Sequence, residues 1–167
     1  MLTDIQIIDG GVCAAQGFTA AGIHCGIRKN KDKKDLSLIF SECPATAASV
    51  YTTNLVKGAP LAVTKENIKD GCARAIICNS GNANTCNKGG YAVAQEMCRL
   101  TADALGVAPQ DVVVASTGVI GQPLDTAPVA IAMPKLVKLL SAHGSCSAAE
   151  GIMTTDTVIK ETAVSFF

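Results

Sequence analysis

An α/β fold is predicted by three features of the sequence. "ARAIIC" at 73–78 and "DVVVAS" at 111–116 are nearly continuous apolar runs, the pattern of strands covered on both faces. Between them Val93, Met97, Leu100, Ala104 and Leu105 fall on one helical stripe, and Gly106 stands just past its end. The order strand, loop, helix, strand is a βαβ-like unit, with its polar loops after the strands.

The remaining elements follow in chain order. "AAGIHCGIR" (20–28) and "DLSLIFS" (35–41), with Leu36, Leu38 and Phe40 at period two, flank the charged turn "KNKDKKD" (29–35), so a β-hairpin with a solvated turn is expected. "ASVYTTN" at 48–54 is β-branched and aromatic and predicts a third strand beside it. "APLAVTKENIK" (59–69) predicts a helix with Pro60 in its first turn and Gly71 beyond its end. A further helical pattern at 127–142 is punctuated by Pro128 and Pro134. In "SCSAAEGIM" (145–153) Ser147 and Glu150 have capping-box spacing, which starts a short helix at Ser147. "TVIKETAVSFF" (157–167) alternates loosely and reads as a strand. One domain over 1–167 is the simplest organisation for this length.

Composition removes several function classes. Lys and Arg total 14, as do Asp and Glu, and no basic face or polybasic run calls for nucleic acid or anionic lipid. Charged residues make up 17% of the chain, against about 25% in an average soluble protein, and apolar residues 49%. Such a chain buries much of its surface, including surface against another chain. No apolar run is long enough for a membrane span, and the start "MLTDIQIIDG" lacks the features of a signal peptide, so a cytoplasmic protein is expected. The eight cysteines form no Cys-x-x-Cys pair, and only His24 and His143 are available to complete a metal site, so no metal is expected and the thiols read as reduced core residues. Cys25 beside His24 is a poor catalytic pair, because adjacent residues of a strand point to opposite faces.

Chemistry is carried by three polar loops, "NSGNAN" (79–84), "STGVIG" (116–121) and "MTTDT" (153–157). Each alone can be a turn; three loops rich in amides and hydroxyls point to one shared site for a small polar substrate. In "STGVIG", Thr117 offers a hydroxyl and Gly118 an unobstructed amide N–H, two donors suited to the oxyanion of acyl transfer. The loop has neither the Walker spacing with its Lys nor the spaced triple glycine of dinucleotide folds, and no Gly-x-Ser-x-Gly elbow makes Ser116 a nucleophile. It has the donors of an oxyanion hole without an attacking group.

Five ordered segments, "GFTAAGIHCGIRK" (17–29), "PATAASVYTTNLVKGAP" (44–60), "AIICNSGNANTCN" (75–87), "VVVASTGVIGQPL" (112–124) and "GIMTTDTVIK" (151–160), resemble the amino-terminal half of the ornithine acetyltransferase family, the bifunctional glutamate N-acetyltransferases of arginine biosynthesis. The resemblance implies an incomplete layered sandwich of sheet and helices of the DmpA/ArgJ-like, N-terminal-nucleophile type. It implies a precursor that cleaves itself into an α chain and a β chain, the latter beginning with a nucleophilic threonine, assembled as a heterotetramer of two of each. The acetyl group passes from N-acetylornithine to that threonine and then to glutamate, with no bound cofactor and with acetyl-CoA left open as another donor. The threonine's own α-amine serves as base. By the same resemblance Thr117 and Gly118 correspond to the oxyanion hole, and Thr154 to a substrate-binding threonine.

Family precursors continue into a Lys-Gly-Ser-Gly-Met segment and an Asn-Met-Ala-Thr cleavage junction, and residues 1–167 contain neither. Thr52, Thr53 and Thr155 are internal and have no free α-amine to replace the nucleophile. The expectation is therefore an α-chain portion that is inactive alone and poorly soluble without its partner. The alternatives are a non-catalytic binding or scaffold half-enzyme and, third, a related N-terminal-nucleophile peptidase or amidase.

Overall fold

The computed structural model describes residues 4–166. Among the described residues six strands and four α-helices follow one another, with three short 3-10 turns between them: β1 (Gln6–Ile8), β2 (Phe18–Ile23), β3 (Leu36–Thr46), α1 (Ala59–Asn67), β4 (Cys72–Asn79), α2 (Gly90–Leu105), β5 (Val112–Ser116), α3 (Ala127–Lys138), α4 (Ser145–Ile152) and β6 (Ala163–Ser165). The central sheet has the order β2-β3-β4-β5. The first two pairs are antiparallel, with Leu38 opposite Ala21 on one side and Ile77 on the other. β4 and β5 are parallel, joined through α2 as the apolar runs lead one to expect, and Asn79 lies beside Ser116 at their shared end. β1 and β6 form a separate two-stranded ribbon.

One face of the sheet carries the core. Leu36, Leu38, Ala75, Ile77, Val112 and Val114 are buried there against Val63 of α1, Met97 of α2 and Met133 and Leu136 of α3. α4 packs on the opposite face at the β2–β3 end, close enough that a Cβ on Gly22 would lie 1.9 Å from the Ser147 carbonyl oxygen. The rest of that face is open. Two apolar hollows of about 280 and 430 Å³ share Ile39 and Ile76 as walls, and Ile76 is 41% exposed.

Several expectations are corrected. Residues 48–54 form no strand: Val50 is 98% exposed, and β3 itself runs on past a register break to pair Thr46 with Cys72. β4 and β5 are covered fully on one face only, because small and apolar residues can face a hollow as readily as a core. In α2 the buried side is Gly90, Ala94, Met97, Cys98, Thr101 and Ala102, while Val93, Leu100 and Leu105 flank it half-buried. The small residues let the helix lie close to the sheet, and the larger ones fill its margins. α4 starts at Ser145 with Gly144 as its cap residue, and no capping box forms; the Ser147 hydroxyl donates to the Gly22 carbonyl and Glu150 pairs with Lys34 at 2.6 Å. The last strand is only Ala163–Ser165, and Phe167 lies outside the described residues. The charged turn is not wholly solvated either, since Asp35 is fully buried.

Candidate functional site

β4 and β5 end side by side, and their pairing continues into the loops beyond. Thr117 N–H donates to Asn79 C=O at 3.0 Å, Val119 N–H to Gly81 C=O at 3.3 Å, and Ala83 N–H to Val119 C=O at 2.9 Å. This zipper presses Gly118 against the Gly81–Asn82 peptide. At Gly118, with φ of +131°, an added Cβ would lie 2.4 Å from the Gly81 carbonyl carbon and 2.6 Å from Asn82 N, so only glycine fits. Ligand sites of α/β sheets gather at such carboxyl ends of parallel strands.

The third loop is tied to the first two by side chains. Ser80 Oγ donates to Gly151 C=O at 2.7 Å, and the Arg28 guanidinium donates to Met153 C=O. An open groove of about 400 Å³ results, with Gly81, Thr117, Gly118 and Val119 on one side, Thr154 and Thr155 on the other, and Arg28 between them. The structure thus brings together Thr117, Gly118 and Thr154. Among the described residues the Thr117 hydroxyl and the Gly118 N–H donate to no protein acceptor, leaving two donors to the groove. Thr154 N–H donates to Asp156 Oδ2 at 3.2 Å. Lys160, bonded to the Asp156 carboxylate, and then the Thr154 N–H hold that carboxyl below its usual range, so the turn is anchored by an ionised Asp.

Much of the amide content of 79–87 is scaffold. Asn79, Asn82 and Asn84 are buried. Asn79 Nδ2 donates to Asn82 C=O at 2.9 Å, Asn82 Nδ2 reaches Pro123 C=O at 3.1 Å, and Asn84 Nδ2 reaches Gly90 C=O at 2.8 Å. These bonds satisfy backbone groups that a buried loop would otherwise leave orphaned. Ser116 shares the helix-covered face of β5 with Val112 and Val114 and is not among the groove walls.

Arg28 and its support were missed by sequence reasoning. Asp35 accepts from Cys25 N at 2.6 Å, Gly26 N at 3.2 Å and Arg28 N at 2.8 Å, and His24 Nδ1 lies 3.3 Å from it. The buried carboxylate thereby fixes the bend that delivers Arg28 to the groove. The one sequence signal is an Asp closing a charge run immediately before an apolar strand. Cys25 is no nucleophile: burial pushes its thiol up to about 12, so it is protonated near neutrality. All eight cysteines are free thiols. Among the described residues no three His, Cys, Asp or Glu side chains gather as a metal site, and no helix is long and apolar enough to cross a membrane.

The sequence of the ArgJ family matches over residues 19–167. The arginine biosynthesis bifunctional protein ArgJ of Gloeobacter violaceus is 49% identical over 165 residues, which is 98% of this chain and 40% of that protein. Its counterpart in Symbiobacterium thermophilum is 48% identical over 161 residues, 95% of this chain and 40% of the relative. The chain therefore spans about 40% of the length of these curated relatives. Among solved structures, the arginine biosynthesis bifunctional protein from Bacillus halodurans superposes with a TM-score of 0.87 at 35% identity, covering 98% of this chain and 93% of that one. The ornithine acetyltransferase of Mycobacterium tuberculosis, crystallised with ornithine, gives 0.88 at 33% identity, covering 98% and 94%.

Proposed function

The chain belongs to the ArgJ family, and on that premise we propose that it supplies the oxyanion-binding wall and part of the substrate wall of an acetyltransferase that moves an acetyl group from N-acetylornithine to glutamate. The observation that carries this reading is the meeting of Thr117, Gly118 and Thr154 in one groove, where neither the Thr117 hydroxyl nor the Gly118 N–H donates to an acceptor among the described residues.

In this mechanism the acetyl carbonyl of N-acetylornithine lies between the two sides of the groove. A threonine hydroxyl, activated by its own free α-amine, attacks the carbonyl carbon. The carbonyl oxygen becomes an oxyanion and receives the Thr117 O–H and the Gly118 N–H. Collapse breaks the C–N bond, the proton passes to the departing nitrogen, and ornithine leaves an acetyl ester on the threonine. The glutamate amine then attacks the ester through a second oxyanion in the same place, giving N-acetylglutamate and restoring the hydroxyl. Each oxyanion donor is worth about 3 kcal/mol to such a step. Thr154 contacts the amino acid across the groove. The acetyl group comes from an amide, so the transfer from N-acetylornithine requires no cofactor.

The nucleophile belongs to a β chain that begins with threonine. Intact masses of the protein purified from its source cells, under denaturing and native conditions, test this division of labour. A co-purifying chain with amino-terminal threonine, and acetyl transfer by the pair, is the expected result. Full turnover by residues 1–167 alone would overturn it. A single chain that binds N-acetylornithine or glutamate without turnover would assign the groove to a non-catalytic binding protein instead.

A further inference from the structure

The loop that carries Thr117 and Gly118 is held by its neighbour, residues 79–87. Backbone bonds zip the two together from Thr117 N–H to Asn79 C=O at 3.0 Å as far as Gly121 N–H to Thr85 C=O at 2.8 Å. Beyond Gly121 the zipper stops: among the described residues no backbone N–H reaches the carbonyls of Gln122 and Pro123. One side chain takes both. Asn82 Nδ2 donates to Gln122 C=O at 3.2 Å and to Pro123 C=O at 3.1 Å, while its Oδ1 accepts from Asn84 N–H at 2.8 Å. The other buried asparagines serve their own loop, Asn79 through Asn82 C=O and Asn84 through Gly90 C=O. Asn87 also reaches Gln122 C=O, but at 3.3 Å in an exposed bond. Asn82 is 7% exposed and is not a wall of the groove.

We infer that Asn82 is a positioning residue for the oxyanion donors, acting through the loop rather than on the substrate. This rests on the acetyl-transfer reading above. Asn82 grips the loop twice. Its amide fixes the far end at residues 122 and 123, and its backbone N lies 2.6 Å from where a Cβ on Gly118 would stand. Gly118 has φ of +131°, and a glycine has more backbone freedom than any other residue, so the direction of its N–H needs an outside constraint. Donors stabilise a developing oxyanion only when they are aimed beforehand, and a misplacement of about 1 Å costs on the order of a hundredfold in rate. An asparagine amide has two N–H donors and one acceptor oxygen, and Asn82 spends all of them on the two loops.

Hydrogen exchange read by mass spectrometry, together with steady-state acetyl transfer from N-acetylornithine to glutamate, tests this. Both are measured on enzyme purified from cells whose gene encodes the wild type, Asn82→Ala, Thr117→Val or the two substitutions together. In the wild type the bonded amides of Thr117, Val119 and Gly121 are expected to exchange on the order of tenfold or more slowly than the irregular 48–54 stretch. Asn82→Ala should remove that difference while peptides from β4 and β5 keep their protection. Its kcat should fall on the order of tenfold with KM within about twofold. In the Thr117→Val background the same change should cost only about threefold or less, because both act through one oxyanion. A merely structural Asn82 would lower the urea midpoint and leave kcat per active site unchanged, and that result overturns the assignment. So does a loss that multiplies in full with that of Thr117→Val, or a wild type whose bonded amides exchange as fast as 48–54. The wild-type exchange needs no substitution, so a variant that fails to fold does not blunt the test. If the wild-type amides are protected but no acetyl group moves from N-acetylornithine, the clamp on the loop stands and the acetyl-transfer reading falls.

Discussion

Gly118 shows how tightly the groove is specified at the scale of one residue. A Cβ there would meet the Gly81–Asn82 backbone, whereas at Gly121, with φ of +80°, it would meet nothing within 4 Å. Gly118→Ala should therefore cost about 3 kcal/mol from strain and displaced backbone, and Gly121→Ala only about 1 kcal/mol from its left-handed conformation. Urea midpoints measure the difference, and equal losses would contradict the close crossing of the two loops. The thiols give a second test. Burial pushes Cys25, Cys78 and Cys98 up to about 12, while Cys43, Cys86 and Cys146 are exposed. At pH 8 iodoacetamide should label the exposed three in the native protein, reach half-buried Cys25 and Cys78 more slowly, and spare buried Cys98. The three raised thiols keep their protons in the fold at pH values where the unfolded chain loses them, above about 8.5. Their contribution to stability is thus full below that range and lost as pH rises towards 12, so the urea midpoint should fall between pH 8 and pH 10.5. That three polar loops would meet in one groove was legible in the sequence, because three such loops after apolar elements are more than turns require, whereas the choice of Thr117, Gly118 and Thr154 within them rested on the family resemblance. Arg28 and Asp35 were not legible. A charge run looks solvated until the fold closes over one of its members, and only the tertiary structure shows which one.

At the scale of elements, the strand edges are managed by helices and loops rather than left bare. The outer side of β5 is closed by α1: the Thr64 hydroxyl donates to Val114 C=O at 2.8 Å and accepts from Val114 N–H at 3.1 Å, and Asn67 Nδ2 donates to Val112 C=O at 2.8 Å. The outer side of β2 is closed by Ser141, which exchanges both backbone bonds with Ala20 at 3.0 and 3.2 Å. Thr64→Val keeps the shape but leaves two buried backbone groups unpaired, and should cost about 2–3 kcal/mol. Thr64→Ser should recover most of it, and a Val variant as stable as the wild type in urea would contradict the bonding. The β4-α2-β5 unit, the hairpin and α1 were all legible, since apolar runs, a charged turn, Pro60 and Gly71 act locally. The strand expected at 48–54 was not realised. Its β-branched residues signal a pleated surface only when a partner strand is free to take them, and β4 is already paired on both sides by β3 and β5.

The whole molecule has one finished face and one open one. Helices α1, α2 and α3 bury the first, whereas Ile39 and Ile76 line two hollows on the second, and Leu55, Val56 and Ile131 are exposed at 100%, 66% and 82%. Apolar surface of this extent should make the isolated chain self-associate. Light scattering at increasing concentration is expected to show a rising mass, and a clean monomer throughout would contradict that. Composition signalled this surface through its 49% apolar share, but not its location, because facing a hollow and facing a core leave the same alternation in a strand. The most direct test of the groove as an acyl-transfer site is the steady-state rate of acetyl transfer from N-acetylornithine to glutamate. It is measured on enzyme purified from cells whose gene encodes Thr117 or, in its place, Thr117→Val. Loss of one oxyanion donor should lower kcat by about a hundredfold while KM changes little; an unchanged kcat in a folded Thr117→Val enzyme would contradict the assignment of Thr117 to the oxyanion.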